Sequence, residues 1–177
     1  MKIVLVTGGA RAGKSRWAEG EATRLAGPAV TYVATAEPHD DEMMRRIAAH
    51  RAERPSGWAT IEEPLDVPQA VTRASSGVVL VDCLTLWVSN LMLAGGEWVD
   101  SSEAEARVQA AVDALLEAAG ARDGTLLVVT NEVGLGIVPA NEAARAYRDL
   151  LGWTNARVAA QAARVVLMVA GLPVTVR

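Results

Sequence analysis

Residues 2–15 read Lys2-Ile-Val-Leu-Val-Thr-Gly-Gly-Ala-Arg-Ala-Gly-Lys-Ser15, a short apolar run that leads directly into a glycine-rich loop. The run predicts a buried strand, and the loop has the G-x-x-x-x-G-K-[ST] spacing of a phosphate-binding P-loop. Gly8 and Gly13 allow tight turns that bring backbone N–H groups close to phosphate oxygens. Lys14 would place positive charge on the outer phosphates, and the hydroxyl of Ser15 is suited to Mg²⁺. We therefore predict a nucleotide phosphate site at the start of a helix, whose positive end favours anions.

Apolar runs alternate with helical stretches along the rest of the chain, which predicts an α/β fold with a mostly parallel sheet and helices on both faces. The predicted strands are Ile3–Thr7, Val30–Ala34, Val78–Val81, Leu126–Thr130, Val165–Val169 and Val174–Val176. The predicted helices are Ser15–Leu25, Asp40–Glu53, Pro68–Ala74, Leu84–Leu93 (ended by Gly95-Gly96), Ser102–Ala119 and Asn141–Ala163, the last with a break near Gly152. Residues 55–66 are predicted to be irregular. The turn Gly171-Leu172-Pro173 predicts an antiparallel last strand at the edge of the sheet.

Composition narrows the class of protein. The chain has 177 residues, a length that favours one domain over residues 1–177, with 51% hydrophobic residues, 21% charged residues and a formal net charge of -4. We expect no nucleic acid as a partner, since that would require a basic surface, and no apolar run is long enough to span a bilayer. The single cysteine, Cys83, excludes an internal disulfide, and the N-terminus does not resemble a secretory signal. We expect a cytoplasmic protein.

Asp82 follows four apolar residues at the end of a predicted buried strand. A carboxylate in this position is typical of a Walker B element, which holds Mg²⁺ beside the P-loop serine. The alternative is an aspartate that caps the helix beginning near Leu84, and the two roles are compatible. Ser15 and Asp82 are therefore the candidate metal ligands.

His50 lies on a predicted helix rich in arginine, within Arg45-Arg-Ile-Ala-Ala-His-Arg-Ala-Glu-Arg54. Arg46 and Arg54 are four residues before and after it, so they share its face if the helix reaches that far. A neutral imidazole can attack phosphorus, and the arginines can stabilise phosphoryl charge. The alternative is a solvated basic helix with an incidental histidine. His39, in a loop beside Pro38, is interpreted as a surface residue.

The segment Thr130-Asn-Glu-Val-Gly-Leu-Gly-Ile-Val-Pro139 follows another predicted strand, so it opens at the carboxyl edge of the sheet, where ligands bind in open α/β folds. Its two glycines permit movement and close backbone approach. Both substrate contact and an ordinary strand-to-helix connection remain open for this loop.

Taken together, these segments resemble the bifunctional adenosylcobinamide kinase / adenosylcobinamide-phosphate guanylyltransferase family. The resemblance rests on segments along nearly the whole chain: Thr7 to Arg16, Tyr32-Val-Ala-Thr35, Asp41-Glu-Met43, His50-Arg-Ala-Glu-Arg-Pro55 with Trp58, Glu62-Glu-Pro64, and Thr130 to Pro139. The P-loop occurs in many families, whereas the His50 segment and the Thr130–Pro139 loop are specific to this one.

The resemblance implies a RecA-like P-loop NTPase fold and a homotrimer. It implies that the enzyme phosphorylates adenosylcobinamide and then transfers GMP from GTP to adenosylcobinamide phosphate, giving adenosylcobinamide-GDP in cobalamin biosynthesis. His50 would carry GMP as a guanylyl-histidine, with Lys14 as the second catalytic residue. GTP, or ATP for the kinase step, and Mg²⁺ are the implied cofactors. The implied nucleotide contacts are Gly8, Gly9, Ala10, Arg11, Ala12, Gly13, Lys14, Ser15, Val33, Ala34, Thr35, Arg51, Ala52, Glu53, Glu62 and Asp82.

Two other functions compete with this one. The first is a monofunctional P-loop kinase of a small metabolite in which His50 is structural. The second is an NTP-driven switch without group transfer to a small molecule, which would leave the basic His50 helix without a role.

Overall fold

The computed structural model describes residues 1–38, 40–94 and 101–177, except for the side chains of Arg46, Glu53 and Ser101. His39 and the predicted break at Gly95-Gly96 lie outside these residues. The strands are β1 (Lys2–Gly8), β2 (Val30–Ala34), β3 (Ala59–Glu62), β4 (Val78–Asp82), β5 (Thr125–Val129), β6 (Arg164–Val169) and β7 (Leu172–Thr175). The helices are α1 (Lys14–Ala26), α2 (Asp41–Glu53), α3 (Val67–Arg73), α4 (Leu84–Met92), α5 (Ser101–Gly120) and α6 (Glu142–Gln161).

The described strands form one seven-stranded sheet in the order β3-β2-β4-β5-β1-β6-β7. Every neighbouring pair is parallel except β6 and β7, which are antiparallel. Strand β5 therefore lies between β1, which leads into the P-loop, and β4, which ends at Asp82. The predicted α/β fold with a mostly parallel sheet and an antiparallel edge strand is confirmed.

The sheet is covered on both faces because successive side chains of a strand point to opposite sides. Ile3 and Leu5 of β1 pack into the core beneath α3, α4, α5 and α6, whereas Val4 and Val6 pack against α1. This two-sided burial explains why the central strands read as continuous apolar runs rather than as alternating patterns. Within the described residues, no helix combines the length and the apolar character needed to cross a membrane.

Three local predictions are wrong. Residues 55–66 contain strand β3, which is short, mostly exposed and at the edge of the sheet, so it has no apolar run to signal it. Helix α6 continues through Gly152 without a break. The final turn is formed by Ala170 and Gly171 rather than by the predicted Gly171-Leu172-Pro173. Both residues have positive φ (50° and 85°), as a tight hairpin requires, and Pro173 lies inside edge strand β7.

Two glycines make a matched pair for testing how the fold constrains the chain. Gly124 has φ +111°, and a Cβ there would lie 2.0 Å from the carbonyl oxygen of Gly77, so we expect Gly124→Ala to destabilise the protein by about 2 kcal/mol or more. Gly20 lies in α1 with open space around it, and we expect Gly20→Ala to stabilise by up to about 1 kcal/mol. Urea unfolding of both variants and of the parent protein measures the change in the free energy of unfolding. Equal effects would contradict the proposed constraint at Gly124.

Candidate functional site

The P-loop connects β1 to α1 and passes very close to the neighbouring strand. Gly8 has φ +147°, and a Cβ at this position would lie 2.5 Å from the carbonyl oxygen of Met168 in β6, so only glycine fits. Gly13 takes the left-handed conformation at the N-cap of α1 and, in the described chain, no side chain caps this helix end. The first N–H groups of α1 are therefore free for an anion.

Lys14 is buried at the start of α1, where its Nζ donates a hydrogen bond to the carbonyl oxygen of Gly9 at 2.7 Å. Burial lowers the pKa of Lys14, and the nearby carboxylate of Asp82 acts in the opposite direction. Because the Lys14 side chain reaches back across the loop to Gly9, its ammonium group lies within the phosphate-binding turn. The parallel pairing of β1 and β4 with β5 places the P-loop and the end of β4 at the same edge of the sheet.

Asp82 is partly buried at the carboxyl end of β4, and its Oδ2 accepts a hydrogen bond from the hydroxyl of Tyr32 at 2.9 Å. Burial, and next the negative charge of Asp82, raise the pKa of Tyr32, so the hydroxyl stays protonated. Oδ2 is thereby held by Tyr32, and Oδ1 accepts no hydrogen bond from the described residues. The peptide bond between Asp82 and Cys83 is cis. The N-cap of the following helix is Cys83, not Asp82.

The donor atoms fit Mg²⁺. This ion prefers oxygen ligands and is usually bound through one or two protein groups together with substrate phosphates. The hydroxyl of Ser15 and the carboxylate of Asp82 supply such oxygens beside the phosphate-binding loop. No cluster of three or more His, Cys, Asp or Glu side chains suited to a metal occurs within the described residues.

Val33, Ala34 and Thr35 at the end of β2 are buried, so a ligand could meet this segment mainly through its backbone. The Thr35 hydroxyl donates to the carbonyl oxygen of Cys83 and accepts from its N–H, both at 2.8 Å. The segment thus holds the Asp82–Cys83 backbone in place.

Helix α2 carries His50 in its last turn, and the carboxylate of Asp40 caps its first turn by accepting from the N–H of Met43 at 2.7 Å. His50 is half-buried, and its ring makes no hydrogen bond to the described residues. Arg51 forms an exposed ion pair with Glu62 at the end of β3, so two predicted nucleotide contacts meet. Ala52 is exposed, and the side chains of Arg46 and Glu53 lie outside the described part of the chain.

Arg54 departs from the predicted arrangement. Helix α2 ends at Glu53, and Arg54 has the extended conformation (φ -69°, ψ 142°) that a following proline imposes, so it does not continue the helical face of His50. Instead its guanidinium carbon lies 3.7 Å from the centroid of the Tyr32 ring. Two of its nitrogens, Nε and Nη1, are buried without a hydrogen-bond partner among the described residues. The end of the His50 helix is thereby attached to the residue that holds Asp82.

The Thr130–Pro139 loop is fixed at its base to the P-loop, as its predicted position at the carboxyl edge requires. The N–H of Glu132 donates to the carbonyl oxygen of Gly8 at 3.2 Å, and its carboxylate accepts from the hydroxyl of Thr7 at 2.8 Å. Arg148 donates to the carbonyl oxygen of Gly134 further along the loop. The tip remains bare, with Leu135 and Ile137 91% and 96% exposed.

Sequence reasoning missed the contact of Tyr32 with Asp82 and the contacts of Glu132 with the P-loop, and it placed Arg54 on the face of His50 rather than over Tyr32. Tyr32 and Arg54 lie in segments that carry the family resemblance. A tyrosine in an apolar strand indicates a buried hydroxyl that needs a hydrogen-bond partner, and an arginine before a proline indicates the end of a helix. Their meeting at Asp82 depends on the pairing of β2 with β4, which no local pattern encodes.

The fold and the loop define a P-loop NTPase. In support of the fold, a solved ATPase domain matches with a TM-score of 0.54 over 94% of this chain and 68% of that chain, at 14% identity. The family model described as cobinamide kinase / cobinamide phosphate guanyltransferase matches residues 4–176, and the chain belongs to that family.

Two curated relatives are similar in sequence to this chain over nearly their full length. The chain is 46% identical to the bifunctional adenosylcobalamin biosynthesis protein CobP of Pseudomonas aeruginosa over 98% of this chain and 96% of the relative. It is 41% identical to the bifunctional adenosylcobalamin biosynthesis protein CobU of Salmonella typhimurium over 99% of both. The expected family, its class of enzyme and its place in cobalamin biosynthesis are confirmed.

The thiol of Cys83 provides a chemical probe of the site. Burial, reinforced by Asp82, raises its pKa to about 11. Because only the thiolate reacts, we expect alkylation by iodoacetamide at pH 8 to be roughly a hundredfold slower than that of a free thiol, and to accelerate about tenfold per pH unit up to pH 10. Mass spectrometry of the intact protein measures it, since Cys83 is the single cysteine. The urea-unfolded chain is the control, and rapid modification of the folded protein at pH 7 would contradict the prediction.

Proposed function

We propose that this chain phosphorylates adenosylcobinamide and then guanylylates the product through His50, both within one domain spanning residues 1–177. The observation that carries the proposal is the connection between the two motifs. The P-loop and Asp82 lie at the same edge of the sheet, because β1 and β4 both pair in parallel with β5, and Arg54, four residues after His50, stacks on the tyrosine that hydrogen-bonds Asp82. The histidine of the family segment is thus carried on a helix whose end is anchored at the phosphate site.

In the kinase step, the hydroxyl oxygen of adenosylcobinamide attacks the γ-phosphorus of the nucleotide. The bond to the β-phosphate bridging oxygen breaks, and a nucleoside diphosphate leaves. Lys14 and the free N–H groups of α1 stabilise the charge on the transferred and leaving groups. Mg²⁺, held by Ser15 and Asp82, supplies further neutralisation of phosphate charge when bound.

In the second step, a ring nitrogen of His50 attacks the α-phosphorus of GTP and pyrophosphate leaves. A phosphate oxygen of adenosylcobinamide phosphate then attacks the same phosphorus, and the P–N bond breaks to give adenosylcobinamide-GDP. The P-loop serves both steps because it holds the outer phosphates in each. The γ-phosphate is the group transferred in the kinase step, and the β- and γ-phosphates together leave as pyrophosphate in the guanylyl-transfer step.

Several finer features belong to the proposal. GTP contacts at Gly8–Ser15, Val33–Thr35, Arg51–Glu53, Glu62 and Asp82 follow the family resemblance, as do a homotrimer and a cytoplasmic location. The edge strand β7 supports assembly, because Leu172 and Val174 are exposed on it.

Exposure to GTP labelled in the α-phosphate tests the nucleophile. We expect His50→Ala to abolish covalent labelling and retain kinase activity, because only guanylyl transfer uses the imidazole as a nucleophile. Lys14→Ala should lose both activities by about a hundredfold or more, since it removes charge stabilisation common to both steps. Mass spectrometry of the peptide containing His50 and a separate kinase assay measure the two outcomes.

His39→Ala is the matched control, because His39 and His50 are the chain's two histidines. This variant should label like the parent protein. The adduct should be lost in acid and survive base, as a histidine phosphoramidate does. Labelling that persists in His50→Ala would refute the nucleophile assignment, and the absence of any adduct in the parent protein would favour a monofunctional kinase.

The acceptor is proposed to contact the tip of the Thr130–Pro139 loop. Adenosylcobinamide is large and partly apolar, and Leu135 and Ile137 present bare apolar surface on a loop whose base is bonded to Gly8 of the P-loop. We expect the double substitution Leu135→Ser with Ile137→Ser to raise KM for adenosylcobinamide phosphate about tenfold, since part of two apolar side chains would lose contact. The rate of guanylyl-enzyme formation from GTP alone should not change.

Leu25→Ser is the control, because Leu25 is exposed in the last turn of α1, at the opposite end of that helix from the P-loop. It should leave KM unaffected. Sedimentation velocity measures the oligomeric state of each variant and so tests whether the loop tip contacts another subunit instead of the acceptor. If the double variant changes the oligomeric state while KM stays constant, the loop contacts another subunit rather than the acceptor.

A further inference from the structure

A buried polar chain runs from the end of α2 to the end of β4. The guanidinium of Arg54 stacks on the Tyr32 ring at 3.7 Å, and the Tyr32 hydroxyl donates to Oδ2 of Asp82 at 2.9 Å. Tyr32 is only 2% exposed, in the middle of β2. The chain therefore joins the helix that carries His50 to the carboxylate proposed to bind the metal.

Packing alone does not account for the Tyr32 hydroxyl. The ring fills the core beside Trp58, with centroids 6.5 Å apart, and a phenylalanine would fill the same space. The hydroxyl adds one directed hydrogen bond to a carboxylate oxygen. Because hydrogen bonds to ligating groups fix their orientation, this bond determines which oxygen of Asp82 is free for a cation.

Arg54 is held in a position that serves the same chain. Pro55 imposes the extended backbone that turns Arg54 away from the helix and over Tyr32. Its buried Nε and Nη1 make no hydrogen bond within the described residues. Among those residues, the contact with the Tyr32 ring therefore positions this part of the guanidinium. Displacement of the end of α2 would therefore disturb Tyr32 directly.

We propose that Tyr32 is a positioning residue that orients Asp82 for metal binding and couples that orientation, through Arg54, to the end of the His50 helix. The inference rests on the proposed metal role of Asp82. It assigns the hydroxyl and the ring of Tyr32 separate tasks, which can be tested one at a time.

The first test measures Mn²⁺ affinity by electron paramagnetic resonance in the presence of a GTP analogue with a methylene bridge between the α- and β-phosphates, which His50 cannot cleave. We expect Tyr32→Phe to weaken Mn²⁺ binding about tenfold and to leave the affinity for the metal-free analogue unchanged. Tyr147→Phe is the matched control, because Tyr147 is also a largely buried tyrosine but its hydroxyl donates to the backbone carbonyl of Thr85 at 3.1 Å. It should not affect Mn²⁺.

Asp82→Asn separates the inference from the proposed function. Loss of Mn²⁺ binding in Asp82→Asn together with parent affinity in Tyr32→Phe would overturn the inference and leave the metal role of Asp82 intact. Parent affinity in Asp82→Asn would overturn both. Equal losses in Tyr32→Phe and Tyr147→Phe, or a loss of metal-free analogue binding in Tyr32→Phe, would indicate a general packing effect and overturn the positioning role.

The second test examines the coupling with a double-mutant cycle. Arg54→Met should weaken Mn²⁺ binding about threefold in the parent protein and cause no further loss in the Tyr32→Phe background, because the contact would act through the Tyr32 hydroxyl. Additive losses would show that Arg54 acts independently of Tyr32 and would overturn the coupling.

Discussion

The site depends first on the parallel pairing of β1, β5 and β4. Parallel strands end at the same edge of a sheet, so this pairing brings the P-loop after β1 and the carboxylate at the end of β4 together, although they are far apart in sequence. The same edge receives the Thr130–Pro139 loop from β5 between them. Each of these segments has a partner across the sheet, such as the bond from Glu132 to Gly8, so their relative positions are set by strand order rather than by loop contacts alone.

Close approach of backbones sets a second constraint. Gly8 lies against the backbone of Met168 in β6, and the P-loop has no room for a side chain at its first position. Strand β6 thereby bounds the start of the loop on the side of β1 opposite β5. The antiparallel β6–β7 hairpin thus lies beside the P-loop, so the C-terminal part of the chain packs against a motif near the N-terminus.

Patterns local in sequence predicted most of the fold. The P-loop, the apolar run before Asp82 and the helix that ends near Pro55 each contain their own signal within a few residues. Strand β3 lacks such a signal because it is an exposed edge strand, and the continuity of α6 through Gly152 comes from packing of Leu151 and Thr154 on either side of an exposed glycine. The contacts that connect the site, from Arg54 to Tyr32 and from Arg51 to Glu62, depend on which strands are neighbours. A single sequence does not state that order.

In the proposed mechanism, one phosphate site presents different phosphorus atoms to different nucleophiles while the outer phosphates stay in the same loop. Because Gly8 of the P-loop is confined against β6, the proposal places the element that distinguishes the two reactions outside this loop. The proposal gives this role to helix α2, whose described attachments to the sheet near His50 are an exposed ion pair and a stacked guanidinium. An exposed ion pair contributes little stability, so the stacked contact of Arg54 on Tyr32 is the stronger of the two. The proposed nucleophile, His50, is therefore carried on a helix tied to Tyr32, the residue whose hydroxyl donates to Asp82.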